Sequence, residues 1–181
     1  VEKCHLSQKK IFVWEITGFI FISLLGSLLH FAFEFFGEWP PVALIAAVNE
    51  SVWEHLKLAF WPALVFALIE WPFFRGSVRN FWAGKTTGIL AMPIVIVSVF
   101  YGYTALAGRN VLWADISLFI LAVFVGQMIS YRLLISRPLG SGIKISALIL
   151  LALMVAAFSL LTFFPPHCPL FCDPRTGRFG L

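Results

Sequence analysis

The sequence predicts an all-α bundle of about five transmembrane helices. Three observations carry that prediction. Of 181 residues, 60% are hydrophobic and only 12% charged, where a soluble domain carries about 25% charged residues. Mean hydropathy is +0.93. The apolar residues form runs long enough to cross about 30 Å of hydrocarbon at about 1.5 Å per residue. Helix breakers part the runs: Gly37 with Pro40 and Pro41, Gly76, Gly108, and Pro138 with Gly140 and Gly142. The 20 Phe and 7 Trp suit lipid contact and interfacial belts.

The whole chain reads as one integral membrane domain. The first span is expected at 11–36. It contains Glu15, His30 and Glu34 and has no small-x-small cleavage site, so it reads as a retained span and not a signal peptide. The second lies within 41–74. As a single helix these residues would measure about 51 Å, too long for one upright crossing. Either the helix breaks near Trp61–Pro62, or 41–57 is half re-entrant. The third, fourth and fifth spans are expected at 86–107, 113–134 and 144–164, followed by a tail over 165–181.

Basic residues set the orientation. With the N-terminus inside, Lys3, Lys9, Lys10, Arg75, Arg79, Lys85, Arg132, Arg137 and Lys144 lie inside, and Arg109, Arg175 and Arg178 outside. A further crossing within 41–74 would spoil this asymmetry. The expected orientation puts the N-terminus on the cytoplasmic side of the membrane and the C-terminus on the extracytoplasmic side. The formal charge of +4 is explained by these loops and calls for no nucleic-acid partner. Cys4 is expected inside and reduced.

That topology gathers the unusual polar residues at the outer face. Ionisable groups in a bilayer cost about 2.5–3.5 kcal/mol each on insertion scales, so they serve function or pair with one another. His30 and Glu34 are four apart and share a helix face. Glu50 and Glu54 stack in the same way with Lys57 beside them, and Ser51 and His55 form a second stripe. Asp115 begins the fourth span on the same side. Two His and several carboxylates on adjacent segments can build a metal site, as facing helices of bundles do. We therefore expect His30, Glu34, Glu50 and His55 as metal ligands and Glu54 as general base. Asn49, Ser51, Lys57, Asp115, His167 and Asp173 are expected in support. Two His with a carboxylate and an open position suit zinc or iron. The blander reading pairs Glu54 with Lys57 and His30 with Glu34. No HExxH is present, so the spacing names no particular metalloenzyme class.

In the tail, Cys168 and Cys172 flank Pro-Leu-Phe. A disulfide, a metal role with His167 and Asp173, or two free thiols all remain open there. The tail could also fold back and bring His167 or Asp173 over the outer site. Glu15 and Glu70 are expected to snorkel or to pair with basic loops, and Gln127 and Ser130 to bond between helices.

At HFAFEFFG (30–37), VNESVWEHLKLAFWP (48–62) and PPHCPLFCDPRTGRFG (165–180) the chain resembles an uncharacterised family of small bacterial integral membrane proteins, common in Firmicutes. The resemblance implies a five-span fold and no named activity. Its pattern carries onto His30, Glu34, Asn49, Glu50, Glu54, His55, Lys57 and Asp173, while Cys168 and Cys172 look particular to this chain. Three functions follow from the polar cluster: a metal-dependent hydrolase of a lipid or amphiphile in the bilayer, a proton- or cation-coupled transporter, and a non-catalytic membrane accessory protein.

Overall fold

A computed structural model describes residues 7–181; Lys3 and Cys4, read above as inner-side residues, lie outside that range. Five helices run α1 (Gln8–Phe35), α2 (Val52–Phe74), α3 (Phe81–Ala107), α4 (Leu112–Leu134) and α5 (Ser141–Leu160). Each is long and apolar enough to cross a membrane. The all-α, five-span bundle expected from the runs is the architecture observed. Large apolar side chains such as Leu24, Leu28, Phe73, Leu121 and Leu153 stay exposed on its flanks, as lipid-facing positions do.

α2 is the central helix, with 56% of its most apolar stretch buried against 28% or less in the others. Its boundaries correct the expectation for 41–74. The chain does break, but over 45–51 and not near Trp61–Pro62. Pro40–Leu44 make one 3-10 turn. Asn49 Oδ1 then accepts from Ser51 N at 2.9 Å, and the Ser51 hydroxyl caps α2 by accepting from Glu54 N at 3.4 Å. No re-entrant half-helix forms.

The helix instead passes through Pro62. A proline has no N–H for the carbonyl four residues back, here that of Leu58. Gly26 of α1 packs directly against this carbonyl, so closely that a Cβ at residue 26 would collide with it. A missing side chain on one helix thus accommodates the proline of the next.

α3 and α4 make the most extensive pairing. Gly88 and Gly126 face each other, each where a Cβ would strike the other's carbonyl oxygen, and Gly84 sits one turn away against Ser130 and Leu134. Small residues at such spacing let membrane helices approach closely. α5 packs on α3 and, through Phe158 stacked on Phe60 at 4.6 Å, on α2.

The tail folds back over the end of the bundle where α2 begins, hereafter the tail end. Phe171 stacks on Trp53 at 4.7 Å, and Trp53 on Phe158 at 4.7 Å, so one aromatic column joins the tail to the core. Leu181 N donates to Thr162 O at 3.2 Å, and Asn49 Nδ2 donates to Gly180 O at 2.9 Å.

Candidate metal centre

Three of the expected ligands meet. His30 comes from the last turns of α1, Glu50 from the break, and His55 from the first turn of α2. Their ligand atoms all lie within 4.8 Å of one another, and all three residues are half-buried. The His30 and His55 rings are 5.2 Å apart between centroids. His55 Nδ1 lies 2.9 Å from Ser51 O. A carbonyl only accepts, so Nδ1 carries the hydrogen and Nε2 presents its lone pair to the group. Nε2 is 3.6 Å from Glu50 Oε2. Such a backbone anchor orients a metal-binding imidazole. His30 Nδ1 is buried without a hydrogen-bond partner, a donor atom left free. Two imidazoles and one carboxylate, partly open to solvent, are donors of the kind that zinc and iron sites use.

Arg175, expected on the outer side but not as part of the site, reaches the group from the tail and lies 3.4 Å from Glu50 Oε1. The tail does fold over the site, but the residue it delivers is Arg175 and not His167 or Asp173. Asp173 is spent on its own turn, accepting from Arg175 N at 2.8 Å and Thr176 Oγ1 at 2.7 Å. His167 stacks on Phe179 at 4.7 Å. Cys168 and Cys172 are free thiols, so the disulfide among the expected alternatives does not form. The residues between them make a 3-10 turn whose Phe171 is held on Trp53.

The structure places the other expected residues outside this group. Glu34 is exposed on α1, one turn past His30. Asp115 accepts from the Tyr103 hydroxyl and ties α4 to α3. Glu54 is 1% exposed and Lys57 0%. Their ion pair spans 2.5 Å. Glu54 also accepts from Val48 N at 3.1 Å and from Thr162 Oγ1 at 2.9 Å, while Lys57 donates to Ala43 O at 2.8 Å and to Thr162 Oγ1 at 2.9 Å. A carboxylate so enclosed and fully engaged is a clamp between the break, α2 and the end of α5. Both of its oxygens are bonded away from the three-donor group, so the structure does not bring it there as the general base expected of it.

The match to known families runs over residues 3–181. The chain belongs to DUF6512, a family of unknown function. No match exists among curated proteins or solved structures.

A second polar cluster lies at the opposite end. Of the two expectations for Glu15 and Glu70, to snorkel or to pair with a basic loop residue, the pairing is the one that forms. They are 0% exposed and both pair with Lys85, itself 3% exposed. Lys85 had been counted among loop cations, but α3 starts at Phe81 and encloses it. The available signal was Glu15 itself, an acid deep in an apolar run with no basic residue one turn away in its own helix.

Proposed function

We propose that this protein is a membrane metalloprotein in which His30, Glu50 and His55 hold zinc or iron. The single observation that supports this is the meeting of three donors from three segments, with His55 Nε2 aimed inward by its backbone anchor. The distribution of Lys and Arg supports placing the tail end outside a bacterial cytoplasmic membrane. A bound metal of this kind polarises a carbonyl or phosphoryl oxygen and makes water acidic enough to attack at neutral pH. The protein's own residues supply the rest. Ser51 orients His55, the Glu54–Lys57–Thr162 clamp fixes the start of α2, and Arg175 offers a guanidinium for an anionic group. The reaction this favours is hydrolysis of a lipid or other amphiphile whose head lies at the outer leaflet.

The test is elemental mass spectrometry on protein purified in mild detergent without a His tag. About one zinc or iron per chain, lost in His30→Ala and Glu50→Ala, is the expected result. Well-folded wild-type protein that stays metal-free after reloading would sink the proposal.

A second reading, proton- or cation-coupled transport, is favoured by one observation: α2 carries buried charges near both ends, at Glu54 and Lys57 and again at Glu70. Cation-dependent flux in proteoliposomes, lost in Glu50→Gln, is its signature; no flux under any gradient rejects it.

A further inference from the structure

We propose that Glu15, Glu70 and Lys85 form a proton-binding site in which two carboxylates share one ammonium and hold one exchangeable proton. This does not rest on the metal centre, which lies at the other end of the bundle. Lys85 Nζ is 2.7 Å from Glu15 Oε1 and pairs also with Glu70 Oε2. Ser130 Oγ donates to Glu15 Oε1 at 3.1 Å, and Gln127 Nε2 donates to the Glu15 carbonyl at 3.0 Å. Glu15 Oε2 and Glu70 Oε1 are buried with no hydrogen-bond partner.

The charges do not balance. With all three groups ionised the cluster carries one net negative charge. No further titratable group faces it from the helices packed around it, among the described residues. α1 gives Glu15, α2 Glu70 and α3 Lys85, and α4 gives only Ser130 and Gln127, which do not titrate. Arg75 and Arg79 in the adjoining loop are exposed and form no ion pair with it. The rings of Phe66 and Phe81 lie 5.9 and 5.8 Å from Lys85 Nζ and complete an apolar wall. An uncompensated charge so placed is strongly disfavoured. One proton removes the charge and gives an orphaned oxygen a hydrogen to donate, as in other carboxylate pairs that cannot both ionise.

The proton has a short way to travel. Glu70, Lys85 and Ser130 each lie four residues from the near end of their helix, about 6 Å. Among the described residues the layer of Ile11, Phe74, Val78, Phe81 and Leu134 packs at that end, with Trp14, Trp71 and Tyr131 partly buried against it. Toward the tail end, by contrast, about 20 Å of α2 separates Glu70 from Lys57, filled by the main apolar core. Exchange is therefore with the aqueous phase at the N-terminal end of α1.

Infrared difference spectroscopy on the full chain in lipid nanodiscs tests this, in water and D2O, in sodium and in choline buffers. At neutral pH wild type should show one protonated-carboxyl C=O band that shifts in D2O and disappears on alkalinisation. Glu70→Gln and Glu15→Gln should each abolish it, because the remaining carboxylate and ammonium neutralise each other. Lys85→Gln should about double it, leaving two neutral acids. Glu70→Asp, which retains the acid, should keep the band at a shifted frequency, so attribution does not depend on variants that lose the group. Absence of the band from wild type in both buffers would overturn the proposal. So would a band present in choline but absent in sodium, which makes the ligand a sodium ion, and so would a band unchanged in both Gln variants.

Discussion

Two side chains of one helix, Glu54 and Lys57, decide how the tail end is held. Their partners include the hydroxyl of Thr162 and the carbonyl of Ala43, so four charge-assisted bonds converge where no water reaches. Removing one partner of such a pair leaves the other charged and buried, at about 3–5 kcal/mol. Lys57→Met should therefore lower the unfolding transition in detergent sharply, and Glu54→Gln with Lys57→Met should recover most of the loss. Equal stability of Lys57→Met and wild type would mean that this pair does not hold the tail end together. Arg175 is a weaker neighbour. Its side chain is 75% exposed, so its field at Glu50 is screened, and Arg175→Ala should tighten zinc binding by no more than about fivefold in a competitive titration. A loss of affinity would mean that Arg175 shapes the site and does not merely compete there. His30, Glu50 and His55 were legible in the sequence because ionisable residues in apolar runs announce themselves and helical spacing sets their faces. Partners distant in sequence were not legible: Thr162 lies 105 residues from Lys57, and nothing local marks Arg175. Glu34 shares the His30 stripe, but α1 ends at Phe35 and leaves it to the surface.

Helix pairing here is a matter of where Cβ atoms are missing. Gly26 receives the carbonyl freed by Pro62, and Gly88 meets Gly126. Gly26→Ala should cost about 1–3 kcal/mol through overpacking, and Gly88→Leu should prevent close docking of α3 on α4. Gly102 has open space around it, so Gly102→Ala serves as the control and should hold or slightly raise stability. Size-exclusion profiles and thermal unfolding would separate these outcomes; a stable Gly88→Leu monomer would mean the two helices do not need contact at that point. The number of spans could be read from the apolar runs because lipid demands it. The break over 45–51 could not. Proline at 62 is the stronger local signal, yet the helix runs through it, with Gly26 of the neighbouring helix packed on the freed carbonyl.

The molecule is closed at one end by its own tail, through the Phe171–Trp53–Phe158–Phe60 column and two hydrogen bonds, one from the Asn49 side chain to Gly180 O and one from Leu181 N to Thr162 O. Phe171→Ala with Asn49→Ala should release that closure, seen as faster cleavage after Arg175 and Arg178 by trypsin in intact detergent micelles. An unchanged cleavage rate would mean the tail is held elsewhere. The two buried charge clusters also differ in how their members are distributed along the chain, and that difference reaches into biosynthesis. Glu54 and Lys57 neutralise each other within one turn, so α2 brings its own counter-ion into the bilayer. Glu15 has no such neighbour, and its cation is 70 residues downstream. At about 5–20 residues per second, the ribosome needs several seconds to deliver it. During that interval α1 must either carry a proton on Glu15 or wait beside the translocon, so the first three helices are expected to leave it together as one hairpinned unit.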